Sequence, residues 1–191
     1  GSETYLGFGA AQLAEALEAV PPDQREQALQ SALSRYFGGA ELSNLELDAK
    51  REVGANVTVR YSFTSPRFAR AEGKSLVFSQ ATFPALMGRR YLQVGARRTP
   101  LFIDSTEEST TVATLTLPEG YTLSGALPEV KSSCPYGKFE RREKSVGRTV
   151  TIEESYRIEM ARVPPADYEK FGQFAGEVDL VQGRELLAEK K

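Results

Sequence analysis

The chain has 191 residues, 40% of them hydrophobic and 26% charged, with a formal net charge of −2 and no histidine. This suits one large domain or two small ones with a core of their own. The missing histidine removes Ser-His-Asp and Cys-His catalysis. The single cysteine, Cys134, excludes an internal disulfide and a Cys/His zinc site.

What remains is carboxylate chemistry, lysine chemistry or no chemistry. No cofactor or metal is expected. No apolar run approaches the roughly 20 residues of a membrane span, so no span is expected either. Gly1-Ser2 reads as the remnant of a cleaved tag, and the chain is expected to be a piece of a longer protein, with any targeting segment outside it.

The first organised element is helical. Ala10 to Ala19 is rich in Ala, Leu and Glu, all strong helix formers. Pro21-Pro22 interrupts it, and Pro22 or Asp23 starts a second helix. There Leu29, Leu33 and Phe37 recur every four residues with Tyr36 alongside, an apolar stripe that must be covered. Gly38-Gly39 is the expected stop.

The period then changes to two. Leu45 and Leu47 alternate with polar neighbours, as do Val57, Val59, Tyr61 and Phe63. Both runs read as strands with one wet face, joined through a turn at Gly54-Ala55-Asn56. Leu76-Val77-Phe78 is a shorter strand candidate. Residues 80–100 carry Pro84, Gly88, Gly95 and Pro100 without a clean period, so they read as a loop-rich connection and the best place for a sub-domain boundary.

Val112 to Leu117 is strand-like, and Pro118-Glu119-Gly120 turns it into Tyr121-Thr122-Leu123. Thr149 to Met160 puts Val150, Ile152, Tyr156, Ile158 and Met160 on one face, and Val146-Gly147-Arg148 joins it as a hairpin to Phe139–Lys144. Glu154 breaks that apolar face. It is expected at a strand end or edge, or paired with an arginine; a catalytic role would need a second carboxylate across a cleft. After Pro164-Pro165, Tyr168, Phe171, Phe174, Val178 and Val181 form a helical core stripe. Leu186-Leu187 adds a short final strand.

These elements predict a mainly β (α+β) fold, with antiparallel sandwich-like sheets, an N-terminal helical pair and a C-terminal helix. The expected divisions are a helical segment at 1–40, a β-rich half at 41–95 and a second β-rich half with the helix at 96–191, or one compact unit.

Charge is laid out in blocks. Residues 1–59 carry −5, residues 60–103 carry +7, and residues 104–191 carry −4. The basic block holds Arg60, Arg67, Arg70, Lys74, Arg89, Arg90, Arg97 and Arg98. It could bind a polyanion or carbohydrate; the plainer expectation is arginines spread over several faces and paired with flanking acids. Arg67-Phe68-Ala69-Arg70 and Arg89-Arg90-Tyr91 only weakly interleave bases with aromatics, and the overall acidity argues against nucleic acid.

Gly7-Phe8-Gly9 lacks the third glycine of a dinucleotide fingerprint. The adjacent pairs Glu107-Glu108 and Glu153-Glu154 point to opposite strand faces, which disfavours a two-carboxylate glycosidase. Cys134 has no histidine to activate it. In Arg97-Arg98-Thr99-Pro100-Leu101, two arginines enter a proline-stiffened extended segment. Their planar forks suit partly buried carboxylates, so a structural clamp leads and a partner-binding spot follows. Arg97, Arg98, Arg89 and Arg90 are the candidate partner-binding residues.

Several motifs also line up in one order. They are Gly9-Ala10-Ala11-Gln12-Leu13, the helix from Arg25 to Phe37, Val57 to Phe63, Arg97-Arg98-Thr99-Pro100-Leu101, Leu117-Pro118-Glu119-Gly120, Tyr168 to Phe174, and Val178 to Val181. This order resembles the region after the catalytic core in bacterial transglutaminase-like proteins that carry DUF3857 and DUF3858. The resemblance implies an N-terminal β-rich domain and a papain-like Cys-His-Asp core upstream, and a periplasmic or cell-envelope location. It also implies partners among the parent's upstream domains or an envelope protein. None of the family's catalytic residues has a counterpart here. The expected role is therefore a non-catalytic accessory or protein-interaction domain. An autonomous carboxylate hydrolase is the third class considered.

Overall fold

The computed structural model describes residues 1–49, 54–79, 81–93, 95 and 97–190. They form a mainly β chain with several antiparallel sheets, an N-terminal helix pair and a C-terminal helix, and two compact units, Gly1–Phe68 and Ala69–Lys191.

In the first unit, β1 (Ser2–Tyr5), β2 (Glu41–Ala49) and β3 (Val57–Thr64) form an antiparallel sheet in the order β1-β3-β2. The alternation read in the sequence orients β3, with Val57, Val59 and Tyr61 buried. The helices α1 (Gly7–Ala19) and α2 (Arg25–Leu33) are joined through a 3-10 turn at Pro22–Gln24. Arg25 closes this hairpin, donating from Nη2 to Leu17 O at 2.8 Å and from Nε to Val20 O at 3.2 Å. It thereby satisfies carbonyls left open at the end of α1.

Leu33, Phe37, Ala40, Val59 and Tyr61 are the buried centre, ringed by Leu13, Leu29, Leu45, Leu47 and Phe63. The helical stop at Gly38-Gly39 is corrected: α2 ends at Leu33. The chain turns early, with Phe37 N–H donating to Leu33 O at 2.8 Å. This seats the Phe37 ring 5.0 Å from Phe63 and 6.3 Å from Phe68.

Among the described residues, the second unit holds three sheets. β4 (Ala69–Glu72), β5 (Ser75–Phe78), β8 (Tyr121–Ser124) and β13 (Leu186–Lys190) pair in the order β4-β5-β13-β8. β7 (Glu107–Thr116), β9 (Val130–Cys134), β10 (Gly137–Val146) and β11 (Thr149–Ile158) pair in the order β7-β11-β10-β9. β6 (Leu101–Ile103) and β12 (Ala161–Val163) form a two-stranded ribbon.

The junction read at 80–100 is not where the compact units divide. They divide at Phe68/Ala69, because β4 and β5 belong to the sheet that β13 joins at the far end of the chain. Residues 80–100 also contain a short helix, α3 (Met87–Tyr91), that no period announces.

The core of this unit is built on α4 (Tyr168–Gln182). Phe171, Phe174, Ala175 and Val178 pack with Met87, Ile103, Phe139, Ile158 and Val163. The expected stripe is therefore core, with Tyr168 and Val181 at its margins. The hairpin β10–β11 turns through Gly147-Arg148, with Gly147 at φ +59. Met160, expected on the apolar face, is 63% exposed, because β11 ends at Ile158.

Candidate functional site

Two arrangements in the second unit gather charged side chains. The first is interior. On β10 the inward positions are Phe139, Arg141 and Glu143; on β11 they include Ile152, Glu154 and Ile158. Arg141 lies directly across the ladder from Glu154, and its Nη1 donates to Glu154 Oε2 at 2.7 Å. Its Nε and Nη2 each donate to Glu143 Oε1 at 3.0 Å.

Glu143 Oε2 accepts from the Leu127 N–H at 2.9 Å and from Arg184. Glu154 Oε1 accepts from Gln182 Nε2 at 2.6 Å. All four carboxylate oxygens are thus occupied. Burial alone would raise the Glu143 carboxyl; the Leu127 amide, Arg184 and Arg141 outweigh it and hold the group below its ordinary range. A carboxylate held ionised and bonded on both oxygens is a poor proton acceptor. The cluster holds strands and helix together.

The second arrangement is a rim built by α4 and α3. Asp179 of α4 accepts from Met87 N–H at 2.8 Å and Gly88 N–H at 2.7 Å. Gln182 Oε1 accepts from Ala85 N–H at 2.8 Å. These bonds fix the turn at Leu86, whose φ of +52 is left-handed, and so aim α3.

Tyr91 packs edge-on against Phe171 at 5.8 Å. The Arg90 guanidinium lies 4.9 Å from the Tyr91 ring centre and donates to both oxygens of Glu107. Glu107 also accepts from Tyr156 Oη at 2.5 Å. Next to it, Tyr168 Oη accepts from Gln93 N–H at 2.9 Å and donates to Tyr91 O at 3.5 Å. The Arg97 guanidinium sits 5.4 Å from the Tyr168 ring centre, with Nε donating to Thr99 O at 3.3 Å.

Of the four arginines singled out in the sequence, Arg90 and Arg97 are therefore brought to one rim through Tyr91 and Tyr168. Arg89 on α3 and Arg98 are exposed. Arg97 meets an aromatic face, where the sequence suggested a carboxylate. The rest of the basic block is dispersed. Arg60 and Arg67 belong to the first unit, and Arg70 donates to Glu72 at 2.7 Å and Glu185 at 2.5 and 2.8 Å. Two of the eight cations, Arg70 and Arg90, are thus paired with acids of the last third.

Cys134 ends β9, half-buried, with burial pushing its thiol up despite amide bonds from Tyr136 and Gly137. Glu107 and Glu108 do separate: Glu107 joins the rim, while Glu108 is exposed and accepts from Arg157 at 3.1 Å. An open concavity of about 430 Å³ lies beside α4, lined by Leu127, Asp179, Leu180, Val181, Gly183 and Arg184. Its charged residues, Asp179 and Arg184, are those already engaged above. Among the described residues, no three His, Cys, Asp or Glu side chains cluster as a metal site would require. No helix among them is long and apolar enough to cross a membrane.

Sequence reasoning found the arginines and Glu154 but missed Tyr91, Tyr168 and Glu107 as their partners, and Arg141 and Glu143 altogether. The last two had a signal, since Phe139, Arg141 and Glu143 share one parity.

A family model described as "Domain of Unknown Function with solved-structure structure (DUF3858)" matches residues 74–188. The chain belongs to this family. The DUF3858 match runs from the turn before β5 into β13, and so takes in both the rim and the buried ion cluster. The chain is also similar in fold to a crystal structure described as that of a "putative protease" from Parabacteroides distasonis. That similarity has a TM-score of 0.51 at 19% identity, over 62% of this chain and 24% of that one. The DUF3858 chain thus spans about a quarter of its structural neighbour's length. No curated protein matches it.

Proposed function

We propose that the chain is a non-catalytic accessory segment of a larger, exported, transglutaminase-like bacterial protein, and that its arginine–tyrosine rim docks a protein partner. The partner is an upstream domain of the parent or another envelope protein, presenting an acidic surface. The observation that carries this reading is the rim itself. Arginine and tyrosine are the residues enriched at the energetic centres of interfaces. Here Arg90, Tyr91, Tyr168 and Arg97 are held rigidly by Glu107 and α4, with Arg89 and Arg98 exposed on the same two segments. Membership of the DUF3858 family, the order of motifs along the chain and a structural neighbour of which the match covers only 24% support a place within a larger protein. The saturated Arg141–Glu143–Glu154 cluster supports the absence of carboxylate chemistry.

The test is binding between this chain and the purified region encoded immediately upstream, followed by calorimetry. Binding should weaken by about tenfold or more in R97A/R98A, the loss expected when interface arginines are truncated. Binding that is unchanged in this variant would remove the rim as the docking surface. An upstream gene region without an export signal and a Cys-His-Asp core would remove the parentage.

A further inference from the structure

Sheet edges in natural proteins are usually guarded by short length, lysine, proline or a bulge, because an open row of amides and carbonyls templates further pairing. β7 carries none of these. Its ten residues pair in unbroken register with β11, from Glu107↔Ile158 to Thr116↔Thr149. It contains no proline, glycine, lysine or arginine. Among the described residues, no strand pairs with its other edge. None of its side chains is buried, while Val150 and Ile152 on the adjacent β11 are fully buried.

The strand is also self-complementary. Its charges, Glu107 and Glu108, both stand at its start, and Glu107 is engaged on the inward face by Arg90 and Tyr156. Val112 is mid-strand on the outward face, 65% exposed, between Thr110 and Thr114.

We propose that β7 pairs antiparallel with β7 of a second copy of this chain, about a two-fold axis through Val112. Opposed residues of an antiparallel pair share a sheet face, so the axis must fall on a residue for the faces to continue across it. Centred on Val112, the pairing lays the exposed valine on its own counterpart. Thr110 then faces Thr114, Glu108 faces Thr116, Thr111 faces Ala113 and Ser109 faces Leu115. No like charges meet, whereas parallel pairing would set Glu108 beside Glu108. The incoming Glu108 also approaches the strand end where exposed Arg148 donates to Leu117 O at 2.9 Å. Two four-stranded sheets become one of eight.

Sedimentation equilibrium of the whole chain should show a reversible dimer. In a C134S background, V112C should give a disulfide-linked dimer on mild oxidation, while T110C alone should not, since only residue 112 meets itself. V112K sets two ammonium groups face to face and should raise the dissociation constant at least about tenfold, with an unchanged circular dichroism spectrum because the side chain is exposed. A chain that stays monomeric overturns the proposal. So does a dimer that V112K leaves intact, or one that V112C does not cross-link.

Discussion

Replacing Arg141 by methionine is the sharpest probe of how the second unit is held together. The Arg141 side chain is fully buried and donates to two carboxylates, themselves 0% and 4% exposed. Methionine keeps much of the length and removes the charge. Glu143 would retain Arg184 and the Leu127 amide, whereas Glu154 would retain only the Gln182 amide among the bonds described above. The loss should therefore concentrate on Glu154. Removing one partner of a buried pair costs about 3–5 kcal/mol, a large part of the ~5–15 kcal/mol that holds a typical domain.

Native-state hydrogen exchange of the β10 and β11 amides reads this unit without reference to the other. The companion variant R141M/E154M removes both members together. It leaves the Gln182 donor without its acceptor, a penalty of about 1–3 kcal/mol, and so should be less destabilised than R141M alone. A loss below about 1 kcal/mol in R141M would refute the reasoning. So would a double variant whose loss equals the sum of the two singles.

Three further outcomes follow from the same geometry. In Glu143 and Glu107, burial pushes the carboxyl up, but bonded amides, arginines and Tyr156 prevail and hold both below the ordinary 4.5. Their stabilisation is present above about that pH and lost as pH falls through the folded values. The urea midpoint should accordingly drop on acidification, and less steeply in E143Q. Tyr61 and Tyr156 are pushed well above the ordinary 10.0, first by burial and then by bonds to Glu3 and Glu107. The unfolded chain ionises first, so their contribution holds below pH 10 and fades above it; ultraviolet titration of the native chain should find both still protonated at a pH where they ionise in the unfolded chain. Finally, a Cβ at Gly137 would stand 2.8 Å from Ile158 Cδ1 and 3.0 Å from both Arg157 O and Phe174 Cε1. G137A should therefore cost about 1–3 kcal/mol by overpacking, seen as a lower thermal midpoint.

The elements were legible wherever a period is written in one segment. The stripe on α4, the alternation on β3 and the hairpin at Gly147 all follow from local spacing. What was not legible depended on partners far along the chain. α3 is five residues long with glycine inside it, and it is fixed by Asp179 and Gln182, about ninety positions away. The division at Phe68/Ala69 follows from β13 pairing with β5, which no local composition records. The arginine rim was half legible: Arg89-Arg90-Tyr91 and Arg97-Arg98 stood out, but only tertiary packing brings Tyr168 between them.

The interior charges also bear on why the hairpin adopts a single register. Side-chain direction alternates strictly along a strand, so a slip of one residue exchanges its faces. Slipping β10 by one against β11 would turn Phe139, Arg141 and Glu143 outward and bring Lys138, Glu140, Arg142 and Lys144 inward, four charges in place of an aromatic ring and an ion pair. Glu154 would then lose its partner across the ladder, and Arg184 and the Leu127 amide would lose Glu143. A wholly apolar inward row would also resist the slip, but it would offer nothing to bond the Leu127 loop, the end of α4 and Arg184 to the sheet. In this chain Arg141, Glu143 and Glu154 both select the register and anchor the elements that aim the rim. That gives a physical reason for polar residues at core positions where hydrophobic patterning alone would place leucine or valine.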